Sequence, residues 1–137
     1  METTRRDWAL LAFVAAAKTA SAAERKTLPS ATYKFEDLKM KPNGGRDVFD
    51  GLTHTGHQVD IHETELEPGK APHAPHKHSH EEIVMVREGT LEIMIEGKVT
   101  VATPGSVVYV ASNDFHGWKN AGSTRAHYFV MAIGRDT

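Results

Sequence analysis

From Gln58 to Leu66 the chain alternates, with Val59, Ile61 and Glu63 on one side and Asp60, His62 and Thr64 on the other. A period of two is the signature of an extended strand. Glu67-Pro68-Gly69 ends it. The same alternation returns at Leu91, Ile93 and Ile95, set against Glu92, Met94 and Glu96. Gly97-Lys98 predicts a tight hairpin, with Val99-Thr100-Val101 pairing back. Further strands are predicted at Thr32–Phe35, Glu82–Arg87, Val107–Val110, around Trp118–Asn120 and at His127–Ile133. Turns are predicted at Lys41–Gly45, Asp50-Gly51, Thr103–Gly105 and Asn120–Ser123, where Pro, Gly and Asn supply turn backbone. Residues Glu24–Leu28 are polar and predict a frayed end. No stretch after residue 24 has the helical period, so about eight to ten short strands are expected, forming an all-β sandwich or barrel.

Ile83, Val84, Met85 and Val86 are apolar on both faces of their predicted strand. Such a strand cannot leave one face in water. Its outer face needs cover, either from the chain's own N-terminal segment or from a second copy in a homodimer.

The first 23 residues follow a different pattern. Arg5-Arg6 precede an apolar stretch of ten residues, Trp8 to Ala17, and small residues follow Lys18. The stretch is too short to span a bilayer. A basic start, a short apolar middle and a small-residue end predict a secretory signal, cut after Ala22 or Ala23. Thr4-Arg5-Arg6-Asp7-Trp8 resembles the twin-arginine export motif. The alternative is an amphipathic N-terminal helix of the domain itself. A signal would make the mature chain periplasmic or secreted, with no membrane anchor, and residues 24–137 a single domain.

A chain of 137 residues with 39% hydrophobic and 25% charged residues can bury a core of its own. Its net charge of −2, with no basic run, gives no reason to expect a nucleic-acid partner. The unusual feature is nine histidines and no cysteine. Thiolate metal sites are therefore excluded. In His76-Lys77-His78-Ser79-His80-Glu81-Glu82, the residues His76, His78 and Glu82 share parity. On a strand they would face one way, giving two imidazoles and a carboxylate, most of a first-row transition-metal site. His116, from another strand, would complete it.

The run His76-x-His78-(x3)-Glu82-(x6)-Gly89 resembles the first motif of the cupin superfamily. Gly69 stands near that motif's leading glycine, one residue off. Gly97-(x6)-Pro104-x-Ser106, followed by His116-(x3)-Asn120, resembles the second motif. It departs from the family pattern in three ways. The Gly-to-Pro gap is one longer, Ser106 replaces a glycine, and His116 falls ten residues after it rather than three. The motifs span residues 69–120.

The resemblance implies a conserved β-barrel of double-stranded β-helix, or jelly-roll, type. It implies one divalent metal (Mn, Fe, Ni, Cu or Zn) held by His76, His78, Glu82 and His116. Four protein ligands leave positions open for a small molecule. The reaction implied is of dioxygenase type. A Lewis-acid isomerase or decarboxylase and a non-catalytic module binding a small ligand or metal are the alternatives. His80 shares the ligand parity but is expected at the rim. Glu81 should point outward. His73 is expected to be exposed, and His54, His57, His62 and His127 to be ordinary histidines. Asn120 is expected to be structural, and Trp118 and Tyr109 to serve the apolar core.

Overall fold

A computed structural model describes residues 24–135. Eight strands account for the regular structure: β1 (Gly45–Leu52), β2 (Gln58–Leu66), β3 (Glu81–Glu88), β4 (Leu91–Ile95), β5 (Lys98–Ala102), β6 (Val107–Val110), β7 (His116–Asn120) and β8 (Ala126–Ile133). They form two antiparallel sheets, one of five strands in the order β1-β2-β8-β3-β6 and one of three in the order β5-β4-β7. β2 has the bounds its alternation predicts. Among the described residues no helix is long and apolar enough to cross a membrane.

The core lies between the sheets. Val84, Val86, Tyr128 and Val130 come from the larger sheet and Leu91, Ile93 and Trp118 from the smaller, all buried. The register aligns them: Val84 lies opposite Val130 and Val86 opposite Tyr128, and Ile93 lies opposite Trp118. On β2 the same face carries His62 and Thr64, opposite Val130 and Tyr128.

The N-terminal part differs from the sequence reading in three places. Thr32–Phe35 is not a strand. Phe35–Asp37 is one turn of 3-10 helix, and the segment docks by side chains rather than by a backbone ladder. The Tyr33 ring sits 5.2 Å from that of Phe49, and the Phe35 ring 5.8 Å from the His127 imidazole. Asp50-Gly51 is not a turn but part of β1. A Cβ on Gly51 would come within 2.7 Å of Leu28 and 2.8 Å of the Lys26 carbonyl oxygen. The glycine serves a close chain approach. Nor is Glu24–Leu28 frayed throughout. The Leu28 N–H donates to Leu52 O at 2.8 Å and the Leu52 N–H to Lys26 O at 3.0 Å, and Arg25 pairs with Asp50.

The hairpin between β4 and β5 turns one residue earlier than expected. Lys98 already pairs with Ile95, and the turn residues are Glu96 and Gly97, with φ of 48° and 78°. Two successive positive φ values are the geometry of a type I′ turn, whose twist suits adjacent strands.

The outer face of the five-stranded sheet is apolar as β3 implied, with Ile83 and Met85 half-buried. Beside them lies an ion-pair network. Arg46 Nη1 is 3.1 Å from Glu63 and 2.7 Å from Glu65; Arg125 reaches Glu65 at 2.9 Å; and His127 contacts Glu63. Burial alone would raise the Glu65 pKa, but the hydrogen bond and charge of Arg46, with His127 and Arg125, outweigh it and hold that carboxyl low. Phe35 lies over this network, 4.7 Å from the Arg46 guanidinium and 5.2 Å from that of Arg87. The N-terminal segment thus covers part of the outer face. On β6, Val107 and Tyr109 stay 67% and 54% exposed. Tyr109 is therefore not a core residue, and its hydroxyl donates to Glu81 at 2.7 Å.

Ile93→Ala should lower unfolding free energy by about 2–5 kcal/mol, since Ile93 is fully buried between the sheets. Val99→Ala, on the exposed face of β5, should change it by less than about 0.5–1 kcal/mol. Urea denaturation of the two variants checks the contrast.

Candidate metal centre

The segment before β3 runs beside β7. The Gly69 N–H donates to Asn120 O, and the Asn120 N–H to Lys70 O, both at 2.9 Å. His76 and His116 then form an isolated antiparallel bridge, with reciprocal N–H···O bonds of 2.9 Å. Gly117 permits the approach: a Cβ there would lie 3.0–3.1 Å from Pro75. A further bond, Asn113 N–H to His78 O at 2.8 Å, ties the end of the arm. His76 and His78 are thus not residues of β3, which begins at Glu81. Two prolines, Pro72 and Pro75, keep the arm extended outside that strand.

This pairing brings the sequence-predicted residues together. The rings of His76, His78 and His116 have centroids 4.8–5.1 Å apart, and one ring nitrogen from each falls within 4.8 Å of the others. Glu82 enters from β3. Its Oε2 is 3.1 Å from His116 Nε2 and 3.5 Å from His78 Nε2. Glu81, of opposite parity, points outward to Tyr109.

Each imidazole is oriented through its other nitrogen. Nδ1 of His76, His78 and His116 meets the carbonyl oxygens of Ala74 (3.3 Å), His80 (2.9 Å) and Asp114 (2.8 Å) respectively. A carbonyl oxygen only accepts, so Nδ1 donates and Nε2 is the nitrogen left for a metal. His76 has its pKa lowered, first by burial and then by the neighbouring His73, His116 and His78, against the raising effect of the Ala74 carbonyl. That shift keeps its lone pair available. His78 Nε2 is buried without a hydrogen-bond partner. A buried polar atom aimed at two other imidazoles and a carboxylate fits a cation between them. The donor set is nitrogen and oxygen, suited to a divalent first-row ion.

His80 shares the ligand parity, and only the family resemblance sets it at the rim. The structure brings it to the cluster. Its ring stacks on His78 at 3.5 Å and 6°, and its Nε2 is 3.6 Å from Glu82 Oε1. His78, His80 and Glu82 form a second group whose ligand atoms lie within 4.8 Å of one another. Residues 76–80 do not form a strand, so strand parity does not fix where their side chains face. Glu63, Glu65 and His127 meet the same distance criterion on the outer face, but Arg46 and Arg125 already neutralise those carboxylates.

Glu82 also lines a cavity of about 360 Å³ together with Lys41, Asp47, His62, Trp118 and Tyr128. Trp118 Nε1–H donates to Tyr128 Oη at 2.9 Å, fixing two rings nearly perpendicular at 88°. Trp118 is thus both core and cavity wall. Asn120 is structural, as expected. Its Nδ2 donates to Leu66 O and Thr124 O, and its Oδ1 accepts from the Gly122 N–H.

A model of the cupin domain family matches residues 62–132. The chain belongs to the cupin family. Its fold is shared by a predicted oxalate decarboxylase from Thermotoga maritima, at 19% identity and a TM-score of 0.60 over 77% of this chain and 100% of that one. It is shared by the polyketide cyclase RemF from Streptomyces resistomycificus, at 17% identity and a TM-score of 0.58 over 80% and 82%. AerE from Microcystis aeruginosa is also similar, at 19% identity and a TM-score of 0.58 over 72% of this chain, which spans 45% of AerE. At these identities the likeness is one of fold. No curated protein matches the chain.

Burial, ahead of the opposing hydrogen bonds from Trp118 and Thr64, pushes the Tyr128 phenol up to about 12. A phenol whose folded pKa exceeds its unfolded value stabilises the fold below the unfolded pKa, and that stability is lost as pH rises through the folded one. Alkaline unfolding is therefore expected between about pH 10 and pH 12. Tyrosinate absorbance should rise together with loss of near-ultraviolet circular dichroism. Ionisation of all three tyrosines in the folded state would contradict this.

Proposed function

We propose that this cupin binds one divalent transition metal through His76, His78, Glu82 and His116 and is a small metalloenzyme of dioxygenase type. The observation that carries the reading is the meeting of three carbonyl-oriented imidazoles, two of which, His78 and His116, also approach the Glu82 carboxylate, beside a cavity large enough for a small molecule. A redox-active ion there would supply a place for O₂ and substrate to meet. The chain's residues do the rest. Backbone carbonyls orient the ligands, Glu82 balances charge, and Trp118 and Tyr128 wall the cavity.

The reading includes export by residues 1–23, which lie outside the described residues, and action in the periplasm or outside the cell. It also includes a homodimer, supported by the exposed Val107 and Tyr109 on β6 beside the half-buried Ile83 and Met85. The partner is a small molecule, and no nucleic acid is expected.

Elemental analysis of protein purified without an affinity tag should find close to one metal per chain. His78→Ala and His116→Ala should each lower metal affinity by at least about tenfold to a hundredfold. Unchanged metal content in both variants would overturn the site. Oxygen consumption with catechols and diketones tests the reaction, and no uptake from a metal-loaded sample would remove the dioxygenase assignment.

A further inference from the structure

The cavity beside Glu82 holds two histidines outside the metal cluster, His62 and His73. His73 Nδ1 meets the Ala74 carbonyl oxygen at 3.0 Å, and His62 is the one with a carboxylate beside its ring. His62 lies on the inner face of β2, opposite Val130, and lines the cavity with Glu82, Trp118 and Tyr128. Its Nδ1 is 3.6 Å from Asp60 Oδ1, two residues back on the same face. That is ion-pair distance rather than a hydrogen bond, and catalytic pairs are commonly long until substrate is bound.

The charges around His62 are already sorted. Asp47, its partner across β1, is 2.5 Å from Lys41 Nζ. Asp50, opposite Asp60, pairs with Arg25. Among the described ion pairs, Asp60 has His62 alone. A carboxylate on Nδ1 places the proton there and turns the Nε2 lone pair toward the opposite side of the ring. The side chains of His62 and Asp60 are 39% and 35% exposed, so a proton collected there can pass to water.

Resting on the metalloenzyme reading, we propose that His62, oriented by Asp60, is the general base of the cavity, and that its substrate is a planar molecule with a weakly acidic hydroxyl, a phenol or enol. An imidazole has little to do for a carboxylic acid, which is already ionised at neutral pH, and holds a proton stably only when it comes from a hydroxyl more acidic than an aliphatic alcohol. The Trp118 and Tyr128 rings meet at 88° along the cavity, an aromatic corner against which one face and one edge of a planar ring can pack. In the step, the substrate O–H bond breaks and its electron pair stays on oxygen. The proton forms a bond to His62 Nε2, the Asp60 carboxylate stabilises the imidazolium through Nδ1–H, and solvent then takes the proton. No oxidant is consumed in this transfer.

The test uses the full chain with its native metal and 4-nitrocatechol, whose visible absorbance reports its ionisation. Wild type should bind the probe in ionised form at acid pH, where the free probe is protonated. His62→Gln should retain metal but bind about tenfold or more weakly at that pH. Asp60→Asn should show a smaller loss. Both deficits should vanish at mildly alkaline pH, where the free probe is already ionised, a rescue that a purely structural role would not give. Equal binding by His62→Gln, a loss independent of pH, or no binding by wild type overturns the proposal. Nitrogen-15 NMR of the histidine side chains needs no metal. It should show neutral His62 as the Nδ1–H tautomer, with that preference lost in Asp60→Asn; an Nε2–H tautomer in wild type also overturns it. Absence of metal from wild type would sink the metal reading, and the tautomer spectrum would still decide the role of His62.

Discussion

The reciprocal backbone bonds between His76 and His116 join a proline-held arm to β7, and the geometry of the cluster follows from them. Strand ladders elsewhere in the fold keep side chains facing a core. Here one bridge places two imidazoles from different parts of the chain with ring centroids 5.0 Å apart. β3 then delivers Glu82 through its pairing with Ala132 and Val110. The arm can come this close because Gly117 has no side chain. Three backbone carbonyls complete the arrangement by taking the Nδ1 protons, so the inward nitrogens are chosen by the backbone rather than by each other.

The barrel separates two polar systems on opposite faces of one sheet. Inside, imidazoles and Glu82 converge with little compensating charge, and His78 Nε2 stays without a hydrogen bond. Outside, Glu63 and Glu65 are matched by Arg46 and Arg125 under the Phe35 ring. Guanidinium partners offset the charge of these carboxylates and serve cohesion, although Glu63 Oε2 and His127 Nε2 are also without a hydrogen bond. Buried imidazoles whose ring nitrogens meet one another are left for an ion. The same residue types thus have different roles, set by the cations already beside them.

Much of this arrangement was legible in the sequence because the relevant patterns are local. The alternation in Gln58–Leu66 fixes β2, and the spacing from His76 to Glu82, with His116 and Asn120, pointed to the family and to the residues that converge. What was hidden depends on contacts between distant segments. Gly51 looks like a turn residue until Leu28 is seen against it. His80 shares the ligand parity but is set at the rim by the family resemblance, and only its stacking on His78 and its approach to Glu82 show that it joins the cluster. His62 reads as one more polar strand residue, and only the register with Val130 shows that it faces the cavity.

The metal ion proposed among the inward nitrogens of His76, His78 and His116 and the carboxylate of Glu82 is what the rest of the functional reading depends on. Anomalous diffraction at the absorption edge of the native metal locates that ion directly. A single strong peak is expected about 2.0–2.2 Å from the three Nε2 atoms and a Glu82 oxygen. A peak on Nδ1 atoms, at Glu63 and His127, or on exposed histidines away from the cavity would contradict that reading.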